Sequence, residues 1–106
     1  MVKQYSKFAQ GTCDLKKEIG GSGGSIKIPF NLDFNPKIIF LDGKIEHSAE
    51  IDEFCINNQN DIKYEWRGRD SGWIKVALGD STYCTFKVSN FTYYHTFRIL
   101  KWYAIG

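Results

Sequence analysis

The sequence predicts an all-β fold, a small antiparallel sandwich of about six to eight strands, on three observations. Apolar residues alternate with polar ones in several short segments, most clearly Ile26, Ile28 and Phe30, then Ile62, Tyr64 and Trp66. That period of two is what a half-buried strand requires. Turn-forming residues punctuate these segments at regular spacing, and no helix of ordinary length fits between them. Finally, eight Phe, six Tyr and three Trp in 106 residues favour strands and supply one substantial core. A chain of this length is one domain, expected at residues 8–106 behind a polar N-terminal arm of residues 1–7.

The elements follow in order. Phe8 to Cys13 reads as a short first strand, with Leu15 to Ile19 as its continuation or a return. The run Gly20-Gly21-Ser22-Gly23-Gly24-Ser25 is a hairpin loop, since the strand before it is too short to be a domain. Ile26 to Phe30 is a strand whose Pro29 has no N–H to donate, so it belongs at an edge or with its nitrogen facing outward. Lys37 to Leu41 is a continuous apolar run, which suits a central strand covered on both faces.

Asp42-Gly43 carries a turn signal. Residues 44–62 are undecided: Ala49 to Ile56 suits either a weak helical turn or a strand, and the Asn-rich segment 57–61 is loop. Strands are then expected at Ile62 to Arg67, Trp73 to Leu78, Tyr83 to Val88 and Phe97 to Ile105. Turns at residues 68–72, 79–81 and 90–96 separate them.

Two short motifs carry a family resemblance. Phe34-x-Pro36-Lys37-Ile38-Ile39 and the closing Trp102-Tyr103-Ala104 resemble, in order and separation, small β-sandwich modules of bacteriophage virions, which in turn resemble H-type lectins. The resemblance covers roughly residues 8 to 106 and rests on scaffold positions, among them Ile28, Phe30, Phe34, Pro36, Lys37, Phe86, Val88, Trp102 and Ala104. It implies a virion structural protein displayed on the particle, a capsid decoration or a small subunit clipped to a tail fibre or baseplate. The implied partners are other virion proteins of capsid or tail, further copies of the chain, with a trimer favoured, and a host-surface glycan. A soluble carbohydrate-binding lectin is the alternative. The family's own sugar ligands do not carry over onto this sequence.

Composition narrows the chemistry further. A net charge of +2, with Lys and Arg scattered among Asp and Glu, lacks the basic stripe of a nucleic-acid binder. The N-terminus is polar where a signal peptide would be apolar, and no segment reaches membrane-span length, so synthesis in the host cytoplasm is expected, while residence in the virion is what the resemblance implies. Cys13, Cys55 and Cys84 form no C-x-x-C pair and read as buried thiols.

His47 and His95 stand in unrelated loops without a nucleophile motif, so no enzyme, cofactor or metal is expected. Glu50, Asp52 and Glu53 lack calcium-loop spacing and read as a solvated acidic face. Sugar-gripping residue types cluster in two loops instead. Arg67, Arg69 and Asp70 lie beside Trp66 and Trp73, while Tyr93, Tyr94 and His95 share another turn. Aromatic faces stack on pyranose C–H surfaces, and Arg and Asp satisfy hydroxyls. Arg67, Arg69, Asp70, Tyr93, Tyr94 and His95 are therefore the candidate glycan or partner site, although both tryptophans also suit the core and the tyrosines suit a turn or a subunit interface.

Overall fold

The structure, a computed structural model, describes residues 7–106 and is all-β. Eight strands run in order: β1 (Phe8–Ile19), β2 (Gly24–Pro29), β3 (Ile38–His47), β4 (Glu50–Asn57), β5 (Ile62–Trp66), β6 (Asp70–Asp80), β7 (Tyr83–Ser89) and β8 (His95–Ile105). They form two antiparallel four-stranded sheets, β1-β8-β3-β4 and β2-β7-β6-β5. The expected sandwich is thus present. The expected N-terminal arm falls almost wholly outside the described residues, of which Lys7 is the first.

The alternating pattern explains the packing. Ile28, Cys84 and Phe86 from one sheet meet Ile39, Leu41, Ile99 and Ala104 from the other, all with no exposed surface. Each large apolar side chain so buried contributes about 1.5–3 kcal/mol. β2 is an edge strand, so Pro29 takes no ladder bond from a missing donor. Burial also pushes the Cys84 thiol up to about 12. Of the three cysteines only Cys84 is fully buried; Cys13 is half-buried and Cys55 is exposed on β4, because its position alternates with the inward Phe54 and Ile56.

Several boundaries differ from expectation. Asp42-Gly43 is no turn: β3 runs straight through it to His47. A Cβ on Gly43 would lie 2.5 Å from the Arg98 carbonyl oxygen and 2.6 Å from the Phe54 ring, so the glycine serves close packing across the sheet. Ile38 to Leu41 alternates half-buried with buried residues, so β3 is central but covered on one face only. Residues 50–57 are a strand, and the turn before them is made by Ser48 with φ of 56°. β6 begins at Asp70, two residues into the expected turn, and β8 begins at His95.

The segments that carry the family resemblance meet at one end of the sandwich. Ile38 pairs with Ile105 and Ile39 with Ala104, while Lys37 N–H donates to the Ile105 carbonyl at 2.7 Å. Phe30 packs on Trp102 at 5.1 Å between ring centroids. Asn58 locks the entry to β3 by accepting from Ile39 N–H at 2.8 Å and donating to the Lys37 carbonyl at 3.1 Å.

Candidate functional site

The opposite end is built by four connections, β1–β2, β3–β4, β5–β6 and β7–β8. Their local geometry is unusual in the same way. Ser48, Arg67 and Asn90 all have positive φ, at 56°, 50° and 66°. The β5–β6 turn closes when Arg69 N–H donates to the Trp66 carbonyl at 2.8 Å, with Arg67 and Gly68 between them both left-handed. That is the twist-matched turn of a tight hairpin, and it costs Arg67 about 1 kcal/mol of backbone strain.

Arg67 is held there by its own side chain. Its guanidinium donates to Asp52 at 2.7 Å, to Glu50 at 3.0 Å and to the Ile51 carbonyl at 3.2 Å, and lies 5.1 Å from the Trp66 ring. Glu50 also accepts from Arg69. That bond, with the fields of both arginines, holds the Glu50 carboxyl below its ordinary value despite some desolvation. The acidic residues of β4 therefore divide. Glu50 and Asp52 face the arginines, while Glu53 is exposed among them. Arg67 is consumed as a strut, whereas Arg69 meets one carboxylate and keeps donors for the cleft beside it.

Beneath the turn lies a buried ionic clip. Asp70 and His95 have side-chain exposures of 2% and 0%, and His95 Nε2 lies 2.8 Å from Asp70 Oδ2. Asp70 also accepts from the backbone N–H of Ser71 at 2.8 Å, Thr92 at 3.0 Å and Tyr93 at 2.9 Å. Burial pushes the Asp70 carboxyl up, but His95 and the three amides outweigh it and hold the group well below the usual carboxylate range. An ionised Asp70 accepts only, so His95 Nε2 carries a proton and donates it. The clip ties the start of β6 to the β7–β8 loop.

His95 Nδ1 is buried, with no partner among the described residues. His47 lies against it, the ring centroids 4.8 Å apart. His47 Nδ1 donates to the Tyr94 carbonyl at 3.0 Å. Trp66 packs edge-on to His95 at 5.5 Å, and Phe91 does so from the other side at 5.0 Å.

The result is a cleft of about 340 Å³ lined by His47, Trp66, Arg69, Tyr93 and His95. A polar shelf of similar size, formed by Glu65, Gly68, Arg69, Asp70, Ser71 and Thr92, continues from it past Arg69. The cleft volume sits at the small end of ligand sites, the scale of a single sugar ring.

Sequence reasoning placed Arg67, Arg69, Asp70, Tyr93, Tyr94 and His95 in candidate loops, and the fold brings all six to this end. Their positions differ in kind. Tyr93 is 55% exposed and lines the cleft; Tyr94 is 59% exposed but offers the cleft only its carbonyl, through His47. Asp70 lies under the cleft with both oxygens occupied. Trp66 is 2% exposed and forms the cleft floor, whereas Trp73 stands on the outer face of β6 at 42% exposure. The two histidines, read as unrelated and surface-lying, are neighbours, and His95 is only 1% exposed. His47 was missed because 48 residues of chain separate it from its partner and no local pattern marks the contact.

Fold and site together define a small β-sandwich with an aromatic, imidazole-lined cleft at one end. Compared with protein-family models, with curated proteins and with solved structures, the chain finds no match.

Proposed function

We propose that the chain is a non-catalytic bacteriophage virion protein, displayed on the particle as a capsid decoration or a small fibre- or baseplate-associated subunit. On this reading the end cleft holds a carbohydrate of the host surface. The observation that carries the binding half is a cleft of about 340 Å³ floored by Trp66 and flanked by the exposed Tyr93 and by Arg69. A sugar ring stacks on the exposed Tyr93 face, and Arg69 donates to one of its oxygens.

The lining residues support binding over hydrolysis, since none of the five is a serine or cysteine that the Asp70–His95 pair could activate. The virion half draws on the resemblance at residues 34–39 and 102–104, whose segments pair directly in the sheet. Self-association, with a trimer favoured, has a surface to use. Phe8, Ile105 and Ile38 form one cross-strand row on the outer face of the first sheet, Phe40 and Tyr103 the next, and Phe8 is 59% exposed.

A glycan array tests the binding half. Retention of particular sugars by the native chain, lost in Arg69→Ala and Tyr93→Ala, is the expected result; a folded protein that retains none sinks it. Electron microscopy of the particle that carries the chain tests the virion half, with density on the outer surface expected.

A further inference from the structure

The outer face of the second sheet carries a groove of about 440 Å³ with a different chemistry from the end cleft. Trp73, Lys75, Lys87, Ser25, Ser89 and Asp61 line it. Lys75 and Lys87 face each other directly across the β6–β7 pair, and Trp73 stands between Lys63 on β5 and Ser89 on β7. Like charges at directly opposed positions destabilise a sheet, so an acid at either position would serve the fold better.

The charges there are also unspent. Among the described residues every ion pair recruits an arginine or His95, and none recruits a lysine. Two opposed ammonium groups beside an exposed indole, with serines and a carboxylate at the margins, are complementary to a flat ring bearing one anionic group.

We propose that this groove is a second binding site, which takes an acidic pyranose, a sugar whose ring carries a carboxylate. The carboxylate sits between Lys75 and Lys87, the ring stacks on Trp73, and hydroxyls donate to Asp61 and exchange hydrogen bonds with Ser25 and Ser89. Two features favour a carboxylated sugar over single-stranded nucleic acid. Nucleic acid is held by successive stacking platforms, and Trp73 is the one aromatic side chain lining this groove. Asp61 repels a phosphate backbone, yet it is an apt acceptor for a sugar hydroxyl.

The test is a titration of the isotopically labelled full chain with trigalacturonate, followed by NMR. Saturable shifts are expected at the Trp73 indole N–H and at the amides of Ser25, Lys75 and Lys87. They should fade as salt rises, and neutral maltotriose should not produce them. The double substitution Lys75→Ala with Lys87→Ala, at exposed positions where the amide spectrum will certify folding, should weaken binding at least about tenfold.

No saturable shift on this face, unchanged affinity in the double variant, or tighter binding of an oligothymidylate of equal charge overturns the proposal. The end cleft reports separately through the Trp66 indole and Tyr93. Failure of carbohydrate binding there leaves the groove result standing, and the reverse also holds.

Discussion

The two ends of this sandwich are closed by different physics. At the end where β8 finishes, the closure is apolar: Phe30 lies against Trp102, and Phe34 packs so tightly over Gly106 that a Cβ there would overlap its ring. At the end where β8 starts, Phe91 supplies part of the plug, but the rest is an ionised Asp70, a histidine and four directed hydrogen bonds. An apolar plug tolerates approximate partners, whereas a buried charge demands all of its donors. The first end is therefore built for stability. The second holds its loops in fixed positions around the cleft.

The largest expected effect comes from breaking the ionic clip. Asp70→Ala removes the acceptor of three backbone amides and of His95 together, and should destabilise the fold by about 3–5 kcal/mol, read from the denaturant midpoint. Trp102→Ala, which strips the ring packed on Phe30 at the apolar end, should cost somewhat less, about 2–3 kcal/mol, because Trp102 is only half-buried. The comparison sharpens in the ligand assay: on whatever protein remains folded, Trp102→Ala keeps cleft affinity. If both variants lost binding in proportion to stability, the division of labour between the ends would fail.

A pH titration separates the ends without removing packing. Asp70 is held below its unfolded value of about 3.9, so between the two values the unfolded chain binds the extra proton. Its contribution is thus complete above about pH 5 and is lost as pH falls through the folded value. Wild-type stability should decline on acidification below about pH 5, and Asp70→Asn, uncharged throughout, should decline less steeply. Glu50 and Asp80, also held low, contribute to the slope of both proteins and cancel in the difference. Identical slopes would show that the buried carboxylate is not the ionised hub described above.

The same contrast explains what the sequence made legible. The apolar end and most strands were readable because their cause is local: alternation at Ile62, Tyr64 and Trp66 or at Tyr83 to Val88 follows from one strand having one wet face. Asp42-Gly43 misled because a glycine retained for close approach to Phe54 and Arg98 looks, in one dimension, like a glycine retained for a turn. The loop end was half legible. Residue types alone drew attention to Arg67, Arg69 and Tyr93, but the sorting of Arg67 into a strut and Arg69 into a cleft residue depends on β4, the element that periodicity left undecided. The His47–His95 contact is invisible from sequence, since it arises only when β3 and β8 lie side by side in one sheet.

Arg69→Ala should have the smallest effect on the fold and is for that reason the sharpest probe of the cleft. Its side chain is 57% exposed and its one ion pair is with Glu50, which Arg67 also holds. An exposed pair of this kind adds little to stability, so the unfolding midpoint should stay nearly unchanged. The ligand, by contrast, loses a charged donor at the junction of cleft and shelf, and affinity should fall about tenfold or more. Arg67→Ala should show the opposite pattern, since that side chain restrains a left-handed backbone position and meets no ligand. It should loosen the β5–β6 turn, seen as faster amide exchange at Arg69 and Asp70, and weaken binding only through that loosening. Equal losses of affinity in the two variants, with no change in exchange, would place both arginines on the ligand and remove the distinction between strut and recognition residue.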